Sequence, residues 1–207
     1  MAEKNLDFDT VIDRTHTNSL KYDFAVQRGK PKDVLPLWVA DMDFQVSSYI
    51  QEALSGNVAH GIFGYSEAED SYFEAVAGWM SRHYGWNVEE TWLVKTPGIV
   101  FALAQAVRAF TEPGDAVLLQ QPVYYPFSQV IRDNGRKIVD NTLVQGEDGR
   151  YRIDFTDFEE KIRSAHVKLF FLCNPHNPVG RVWTREELLR LGDICEKYGV
   201  IVVSDEI

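Results

Sequence analysis

The amino-acid sequence predicts an α/β fold of three layers, in which helices cover both faces of a mainly parallel β-sheet. Apolar segments of strand length alternate with segments of helical periodicity along most of the chain. The strand segments are apolar at successive positions, which is typical of strands buried on both faces. The connections between them are long enough to contain the crossover helices that parallel pairing requires.

The elements can be assigned in order from the N-terminus. Residues 1–45 lack a regular pattern and are expected to form a separate N-terminal segment. Ser47 and Ser48 can cap a helix that runs to about Asn57. Residues 67–84 carry apolar side chains at helical spacing, and Gly85 is suited to the position just after a helix end.

Strands and helices alternate after Gly85. The expected strands are Trp92–Lys95, Ala116–Gln120, Lys137–Leu143, Lys168–Cys173 and Val200–Ser204. Two of the expected helices are Gly98–Phe110 and Tyr124–Asp133. Two more begin at capping boxes, one at Thr156–Glu159 running to about Ser164, the other at Thr184–Glu187 running to Tyr198.

Composition and charge exclude several classes of function. The 207 residues carry a net charge of −10, and no cluster of Lys and Arg relieves it, which argues against nucleic acid and anionic membrane surfaces as partners. The N-terminus lacks the apolar stretch of a secretory signal, and the longest apolar runs are too short to span a bilayer. Cys173 and Cys195 lie in apolar stretches typical of buried thiols, so we expect a cytoplasmic protein.

Residues with chemical potential follow the predicted strands, where ligands of open α/β sheets bind. Gly98 opens a helix, whose free N–H groups and dipole suit an anion such as phosphate, although close packing of helix on strand would explain a glycine equally well. Tyr124 and Tyr125 lie between prolines and could stack on a planar ligand. A hydrophobic plug over the end of the sheet is the alternative for the two tyrosines.

The last two strand ends add an amide-rich loop and a carboxylate. Asn174–Gly180 contains more turn-forming and amide residues than a plain turn requires. Asp205 follows the apolar run Val200–Val203, where a carboxylate is costly without a cationic or donor partner, although a helix N-cap or a surface position would also accommodate it. Together the strand ends suit a flat, phosphorylated heterocycle with a cationic nitrogen, and pyridoxal 5'-phosphate (PLP) fits that description.

The chain resembles the fold-type I PLP enzymes of the class I and II aminotransferase superfamily, and among them the cystathionine β-lyases of the MalY/PatB type. The motifs that carry the resemblance are Leu35–Phe44, His60–Ser66, Thr96–Gly98, Gln121–Pro126, Asn174–Trp183 and Ser204–Ile207. The resemblance implies that residues 46–207 belong to a large, aspartate-aminotransferase-like PLP-binding domain, incomplete at its C-terminus. It assigns residues 1–45 to the small domain of an intact enzyme.

The resemblance also implies roles for individual residues. The cofactor phosphate would be bound by three backbone N–H groups, those of Gly98, Ile99 and Val100. Tyr124 would stack on the pyridine ring, Asn177 would donate to its phenolic oxygen, and Asp205 would pair with the pyridinium nitrogen. These three side chains are the expected catalytic residues in this chain.

Two further roles concern the substrate and a second subunit. Ala40 would meet the substrate carboxylate with its backbone, and Tyr65 would reach the phosphate of the neighbouring subunit in a homodimer. The family's Schiff-base lysine is expected downstream of Asp205, and these 207 residues offer none in a matching context. The chain thus resembles the N-terminal half of a longer enzyme.

Three functions are compatible with these residues. The first is a carbon–sulfur β-lyase that converts L-cystathionine or related cysteine S-conjugates to a thiol, pyruvate and ammonia. The second is an aminotransferase on the same scaffold, and the third is a non-catalytic fragment that only binds the cofactor. Resemblance to the subgroup favours the lyase. We also expect an unpaired sheet edge after residue 207, with aggregation or poor folding of the isolated chain.

Overall fold

A computed structural model describes residues 7–207 of the chain. The chain divides into two compact units, the first ending at Tyr72 and the second comprising Phe73–Ile207. Residues 1–6 of the predicted N-terminal segment lie outside the described residues. The assignment of residues 1–45 and 46–207 to the small and large domains of an intact enzyme stays a prediction.

The first unit contains a 3₁₀ turn at Val26–Arg28 and the helix α1 (Ser48–His60). Ser47 occupies the N-cap position of α1 as predicted, but its side chain makes no capping hydrogen bond. The helix ends at Gly61, whose φ of +73° is a left-handed conformation that glycine adopts at little cost. The helix predicted to Asn57 is therefore confirmed and continues to His60.

The helix α2 (Asp70–Tyr84) contains the boundary between the two units. It confirms the helix predicted over residues 67–84, starting from Asp70. The ring of Trp79 stacks on His83 one helical turn later, with 3.9 Å between the ring centroids. Gly85 ends α2 as predicted, and its N–H donates to the Ser81 carbonyl at 3.0 Å.

Residues 90–97 do not form the strand predicted at Trp92–Lys95. Glu90–Trp92 is a 3₁₀ turn, and residues 93–97 pair with no strand in the described part of the chain. Leu93 has the extended backbone of a strand residue, with φ −85° and ψ 111°. Extended backbone becomes a strand only where a neighbour accepts and donates hydrogen bonds, so the apolar run alone misled the prediction.

The remaining elements belong to the second unit. The helices are α3 (Ile99–Phe110), α4 (Pro126–Asp133), α5 (Phe155–Ala165) and α6 (Arg185–Tyr198). The strands are β1 (Ala116–Leu119), β2 (Lys137–Asp140), β3 (Val144–Gln145), β4 (Tyr151–Arg152), β5 (Leu169–Cys173) and β6 (Ile201–Asp205). The short antiparallel hairpin of β3 and β4 was not expected from the sequence, and it ends the predicted strand Lys137–Leu143 early, at Asp140.

The central sheet has four strands in the order β2-β1-β5-β6, and all its pairings are parallel. β6 pairs with β5 along five residues, from Leu169↔Ile201 to Cys173↔Asp205. β6 lies at one edge of this sheet, and its side chains Ile201 and Val202 are each 41% exposed. The aggregation or poor folding predicted from such an edge stays a prediction.

Two hydrophobic cores cover the two faces of the sheet. β1 and β5 are buried at every position, and their successive side chains point to opposite faces. Leu118 and Phe170 enter a core with side chains of α5 and α6, among them Phe158, Ile162, Leu191 and Ile194. Val117 and Phe171 enter a second core with side chains of α3 and α4, among them Leu103, Val107, Phe127 and Ile131. The predicted three-layer α/β/α fold is therefore confirmed.

A chain of polar contacts fixes the carboxyl end of β1. Gln120 is almost fully buried, and its amide nitrogen donates to Asn141 Oδ1 at 2.9 Å. Asn141 in turn donates to Asp157 Oδ2 at 2.8 Å, and Asp157 forms an ion pair with Lys161, also at 2.8 Å. These contacts connect the residues that follow β1 and β2 to the first turns of α5.

The two predicted capping boxes have different outcomes. Thr184 and Glu187 form the predicted box on α6, each side chain accepting a hydrogen bond from the other residue's N–H. Thr156 does not cap α5. Asp154 occupies the N-cap instead, and its carboxylate accepts from the N–H groups of Thr156 at 2.9 Å and Asp157 at 3.0 Å. The charged acceptor two residues earlier replaces the threonine hydroxyl.

We predict that the correction on α5 is measurable as a difference between two alanine variants. Asp154→Ala removes the capping carboxylate and should lower the free energy of unfolding by about 1 kcal/mol. Thr156→Ala is the matched control, because its side chain is exposed and only its backbone N–H takes part in the cap. It should change the stability by less than about 0.5 kcal/mol. Urea unfolding followed by circular dichroism would measure both, and an equal loss in the two variants would contradict the assignment.

Candidate active site

Three of the predicted site residues lie at one edge of the central sheet. Parallel strands in register end on the same side, so the residues that follow β1, β5 and β6 share this edge. Tyr124 lies in the loop after β1, Asn177 in the loop after β5, and Asp205 is the last residue of β6. The structure therefore brings the aromatic, the amide and the carboxylate to the same edge, as the sequence predicted.

The N-terminus of α3 is open to an incoming anion. Gly98 is its N-cap residue, and the first N–H groups of a helix have no intrahelical partners. The φ of Gly98 is +150°, a conformation that residues with a Cβ rarely adopt, and the space where a Cβ would stand is empty to 4 Å. Ile99 and Val100 are exposed in the first turn. Within the described residues, the positive end of the helix dipole therefore faces solvent rather than protein.

Tyr124 is held by the hydrophobic core beneath it. Its ring meets Phe127 at 6.5 Å between centroids in an edge-on arrangement, and Phe127 meets Phe171 of β5 at 5.5 Å in the same way. Phe127 is fully buried, whereas the Tyr124 side chain is 38% exposed. A fixed ring with one accessible side is able to stack on a planar ligand. Tyr125 is much more exposed, at 72%.

The two asparagines of the loop after β5 have different surroundings. Asn174 is structural, because its Oδ1 accepts from the Trp183 N–H at 3.0 Å and its own N–H donates to the Asp205 carbonyl at 2.9 Å. Asn177 is exposed on the same loop. The loop is closed by a hydrogen bond from the Gly180 N–H to the His176 carbonyl at 2.9 Å. Asn177 is therefore the amide that a ligand at this edge can reach.

Asp205 is a buried carboxylate with little compensation from the protein. The residue is 9% exposed, and its Oδ1 accepts from the Ile207 N–H at 3.2 Å. Within residues 7–207, no lysine, arginine or histidine forms an ion pair with it. Burial raises the pKa of the neighbouring Cys173 thiol, and the negative charge of Asp205 adds to that rise. A buried, unpaired carboxylate is suited to a cationic ligand group.

The remaining predicted residues, Ala40 and Tyr65, belong to the first unit. Both residues are exposed, and the Tyr65 side chain is fully accessible to solvent. Ala40 follows Val39, whose φ of +62° is a left-handed conformation that β-branched residues seldom adopt. Such strain persists only where the surrounding structure enforces it. The roles predicted for Ala40 and Tyr65 stay predictions.

Sequence reasoning missed the two basic residues that hold the segment after Ala40. Arg14 donates to the carboxylates of both Asp41 and Asp43, and Lys21 donates to Asp43 Oδ2 and to the Asp41 carbonyl, both at 3.1 Å. Arg14 and Lys21 together lower the pKa of Asp43, and Lys21 is almost fully buried. The acidic pair in the motif around Ala40 was the signal that could have suggested basic partners.

Two kinds of feature are absent from the described residues. Over 7–207, no group of three or more His, Cys, Asp or Glu side chains is arranged to hold a metal ion. No helix in that part of the chain has both the length and the apolar character needed to cross a membrane.

Comparison with known proteins identifies a family and several relatives. A family model for class I and II aminotransferases matches residues 32–207. Cystathionine β-lyase PatB of Bacillus subtilis (strain 168) is 49% identical over 202 residues, which cover 98% of this chain and 52% of that protein. Among solved structures, cystalysin of Treponema denticola contains pyridoxal 5'-phosphate and superposes with a TM-score of 0.89 at 38% identity, covering 98% of this chain and 52% of cystalysin.

A PLP-bound protein of Clostridium difficile 630, with the provisional name of an aminotransferase, has the same fold. It superposes with a TM-score of 0.93 at 41% identity, covering 98% of this chain and 52% of that protein. The chain thus spans about half the length of the relatives it matches.

We predict opposite effects of alanine at two glycines of the second unit. Gly98→Ala should lower the free energy of unfolding by about 1 kcal/mol or more, because alanine is strained at this positive φ. Gly192→Ala is the control: Gly192 lies inside α6, nothing lies within 4 Å of its Cβ position, and alanine should stabilise the protein by about 0.5–1 kcal/mol. Denaturant unfolding measures both signs, and stabilisation by Gly98→Ala would contradict the strained geometry.

Proposed function

Because the chain belongs to the family of class I and II aminotransferases, we propose that its protein is a PLP-dependent carbon–sulfur β-lyase. The substrates would be L-cystathionine or related cysteine S-conjugates, and the products a thiol, pyruvate and ammonia. The observation that carries this choice is the 49% identity to a cystathionine β-lyase along 98% of the chain. An aminotransferase is the competing reaction, since the family and one close structural relative bear that name.

The residues at the sheet edge and at the N-terminus of α3 fit PLP on two independent observations. The space in front of Gly98 is open at the positive end of α3, which suits the phosphate group. Asp205 is a buried carboxylate without an ion pair among the described residues, which suits a protonated ring nitrogen. The buried carboxylate lacks a cationic partner among the described residues and the first N–H groups of α3 lack intrahelical acceptors, and a ligand with these two charges would satisfy both.

Each residue would then have a defined task. The phosphate would accept hydrogen bonds from backbone N–H groups, those of Gly98, Ile99 and Val100. Tyr124 would stack on the ring with its accessible side, and Asn177 would donate to the phenolic oxygen. Asp205 would hold a proton on the ring nitrogen, and its burial would strengthen this interaction because the local dielectric constant is low.

The chemistry that PLP supplies when bound is an electron sink for negative charge at the substrate Cα. Asp205 serves this chemistry by keeping the ring nitrogen protonated. Tyr124 and Asn177 would orient the ring, and the contacts of Tyr124 with Phe127 and of Phe127 with Phe171 would hold the stacking side chain in place. No residue of this chain is proposed to remove the Cα proton.

The first unit would contribute to the substrate and to a second subunit. We propose that the backbone at Ala40 meets the substrate carboxylate, supported by the ion pairs of Arg14 and Lys21 that fix the following segment. We propose a homodimer in which Tyr65 reaches the phosphate of the partner subunit, supported by its full exposure. A cytoplasmic location is proposed from two buried, unoxidised cysteines, Cys173 and Cys195.

We predict that a chain of the full length of its relatives that contains these 207 residues, supplied with PLP, releases pyruvate from L-cystathionine, and that residues 1–207 alone do not. A coupled lactate dehydrogenase assay measures pyruvate, and a thiol reagent measures the second product. S-methyl-cysteine tests the wider class of substrates, and alanine, which has no leaving group at Cβ, is the control. Formation of a keto acid only when a second keto acid is added would overturn the lyase and establish the aminotransferase. Binding of PLP without either reaction would leave the protein as a cofactor binder.

We predict a separate effect of the carboxylate at the end of β6. Asp205→Asn removes a charge-assisted hydrogen bond to the ring nitrogen, which is worth about 1.5–3 kcal/mol and should lower kcat about 10- to 100-fold. Asp148→Asn is the control, because Asp148 pairs with Arg152 on an exposed turn and should leave kcat unchanged. Unchanged kcat in Asp205→Asn, with PLP bound, would contradict the role of Asp205.

A further inference from the structure

We propose that His176 is a positioning residue that connects the loop after β1 to the loop after β5 and so sets Tyr124 and Asn177 relative to each other. The five histidines of the sequence show no metal-ligand spacing, so the sequence alone favours a packing or solvated role for His176. The inference rests on the proposed function in one respect, since Tyr124 and Asn177 are the residues assigned to the cofactor ring. The connection between the loops is independent of any cofactor.

The connection is a single buried hydrogen bond. His176 is 2% exposed, and its Nε2 lies 3.0 Å from the carbonyl oxygen of Pro122. A carbonyl oxygen only accepts, so Nε2 must donate and carries the proton. Pro122 lies two residues before Tyr124, and His176 immediately precedes Asn177. The bond therefore joins the two loops next to the residues that would contact the ring.

Within residues 7–207, no residue other than His176 makes a hydrogen bond that performs this task. The pairing of β1 with β5 ends at Leu118↔Phe170, before either loop begins. In the described part of the chain, residues 120–126 and 174–180 share no hydrogen bond apart from that of His176. Without it, the two loops would be connected only through the strands beneath them and through van der Waals contacts.

Neighbouring residues hold the ring of His176 in a defined position between the two loops. It meets the Trp183 ring edge-on, with 5.4 Å between centroids and an interplanar angle of 84°. Trp183 is itself fixed, because its indole N–H donates to the Cys173 carbonyl at 3.0 Å. The backbone N–H of His176 donates to the Arg181 carbonyl at 2.6 Å. The imidazole is therefore held in place by its contact with Trp183 and by the backbone hydrogen bond of its own residue to Arg181.

Packing alone does not account for a histidine at this position. Its second ring nitrogen, Nδ1, is buried and has no hydrogen-bond partner, a situation that costs free energy. A phenylalanine would keep an aromatic ring against Trp183 without that cost. The compensating feature is the donation from Nε2 to Pro122. Burial also lowers the pKa of His176, which favours the neutral ring.

Three substitutions separate the hydrogen bond from the packing. His176→Gln places an amide N–H close to the position of Nε2 and should restore the connection. His176→Asn is too short, since its amide nitrogen falls near Nδ1, and His176→Phe keeps the ring but has no donor. Ile194→Ala is the control for packing, because Ile194 belongs to the same core as Trp183 but takes no part in the hydrogen bond to Pro122. Urea unfolding of each variant reports its global stability.

The first measurement is hydrogen exchange of the protein without PLP. We expect the Asn and Phe variants to exchange about tenfold faster in both segments, 120–127 and 174–180, which is the factor that one hydrogen bond contributes. The Gln variant should stay within about twofold of the unsubstituted protein. Ile194→Ala should leave both segments unchanged relative to the rest of the sheet. If Gln and Asn behave alike, or if Ile194→Ala accelerates the same two segments, the proposal is overturned.

The second measurement is the dissociation constant of PLP, followed by absorbance and visible circular dichroism. We expect it to rise about tenfold in the Asn and Phe variants and to stay within about twofold in the Gln variant. If the unsubstituted protein does not bind PLP, the proposed function fails, while the exchange data still decide the role of His176. If the Phe variant does not fold, the comparison of Gln with Asn decides it alone, since both are amides.

Discussion

The candidate site depends on the parallel pairing of β1, β5 and β6. Because these strands run in one direction and are buried by helices on both faces, their carboxyl ends meet at a single edge. The residues after them can then converge, although they are far apart in the chain. The cores on the two faces make this edge rigid, since Tyr124 packs edge-on against Phe127, which packs edge-on against Phe171. Side chains that must be placed accurately therefore stand on the most stable part of the fold.

The same edge contains the groups that the protein itself satisfies least. Asp205 is buried with a single hydrogen bond to its carboxylate, and His176 leaves one ring nitrogen unpaired. Each is unfavourable for folding, and the hydrophobic cores offset that cost. Their concentration at one edge is what a ligand-binding site requires, because a ligand gains affinity from groups that are not already paired.

The sequence predicted the three-layer fold and most helices, because apolar periodicity and turn residues reflect burial directly. It also predicted the strand ends that carry Tyr124, Asn177 and Asp205. It failed at Trp92–Lys95, where strand formation depends on a partner strand rather than on local residues. The capping-box pattern predicted Thr156 as the cap of α5, whereas Asp154, another acceptor two residues earlier, occupies that position. The contact from His176 to Pro122 spans 54 positions of the chain, and no local pattern could reveal it.

The open N-terminus of α3 has a consequence for how an anion reaches this protein. With a net charge of −10, the molecule repels a phosphate dianion at long range, whereas the dipole of α3 attracts it only near contact. Salt screens the repulsion over about 8 Å at physiological ionic strength and affects the contact itself much less. Binding of the anion is therefore determined mainly by interactions that form at short range. Such a surface slows the approach of an anionic ligand at low ionic strength.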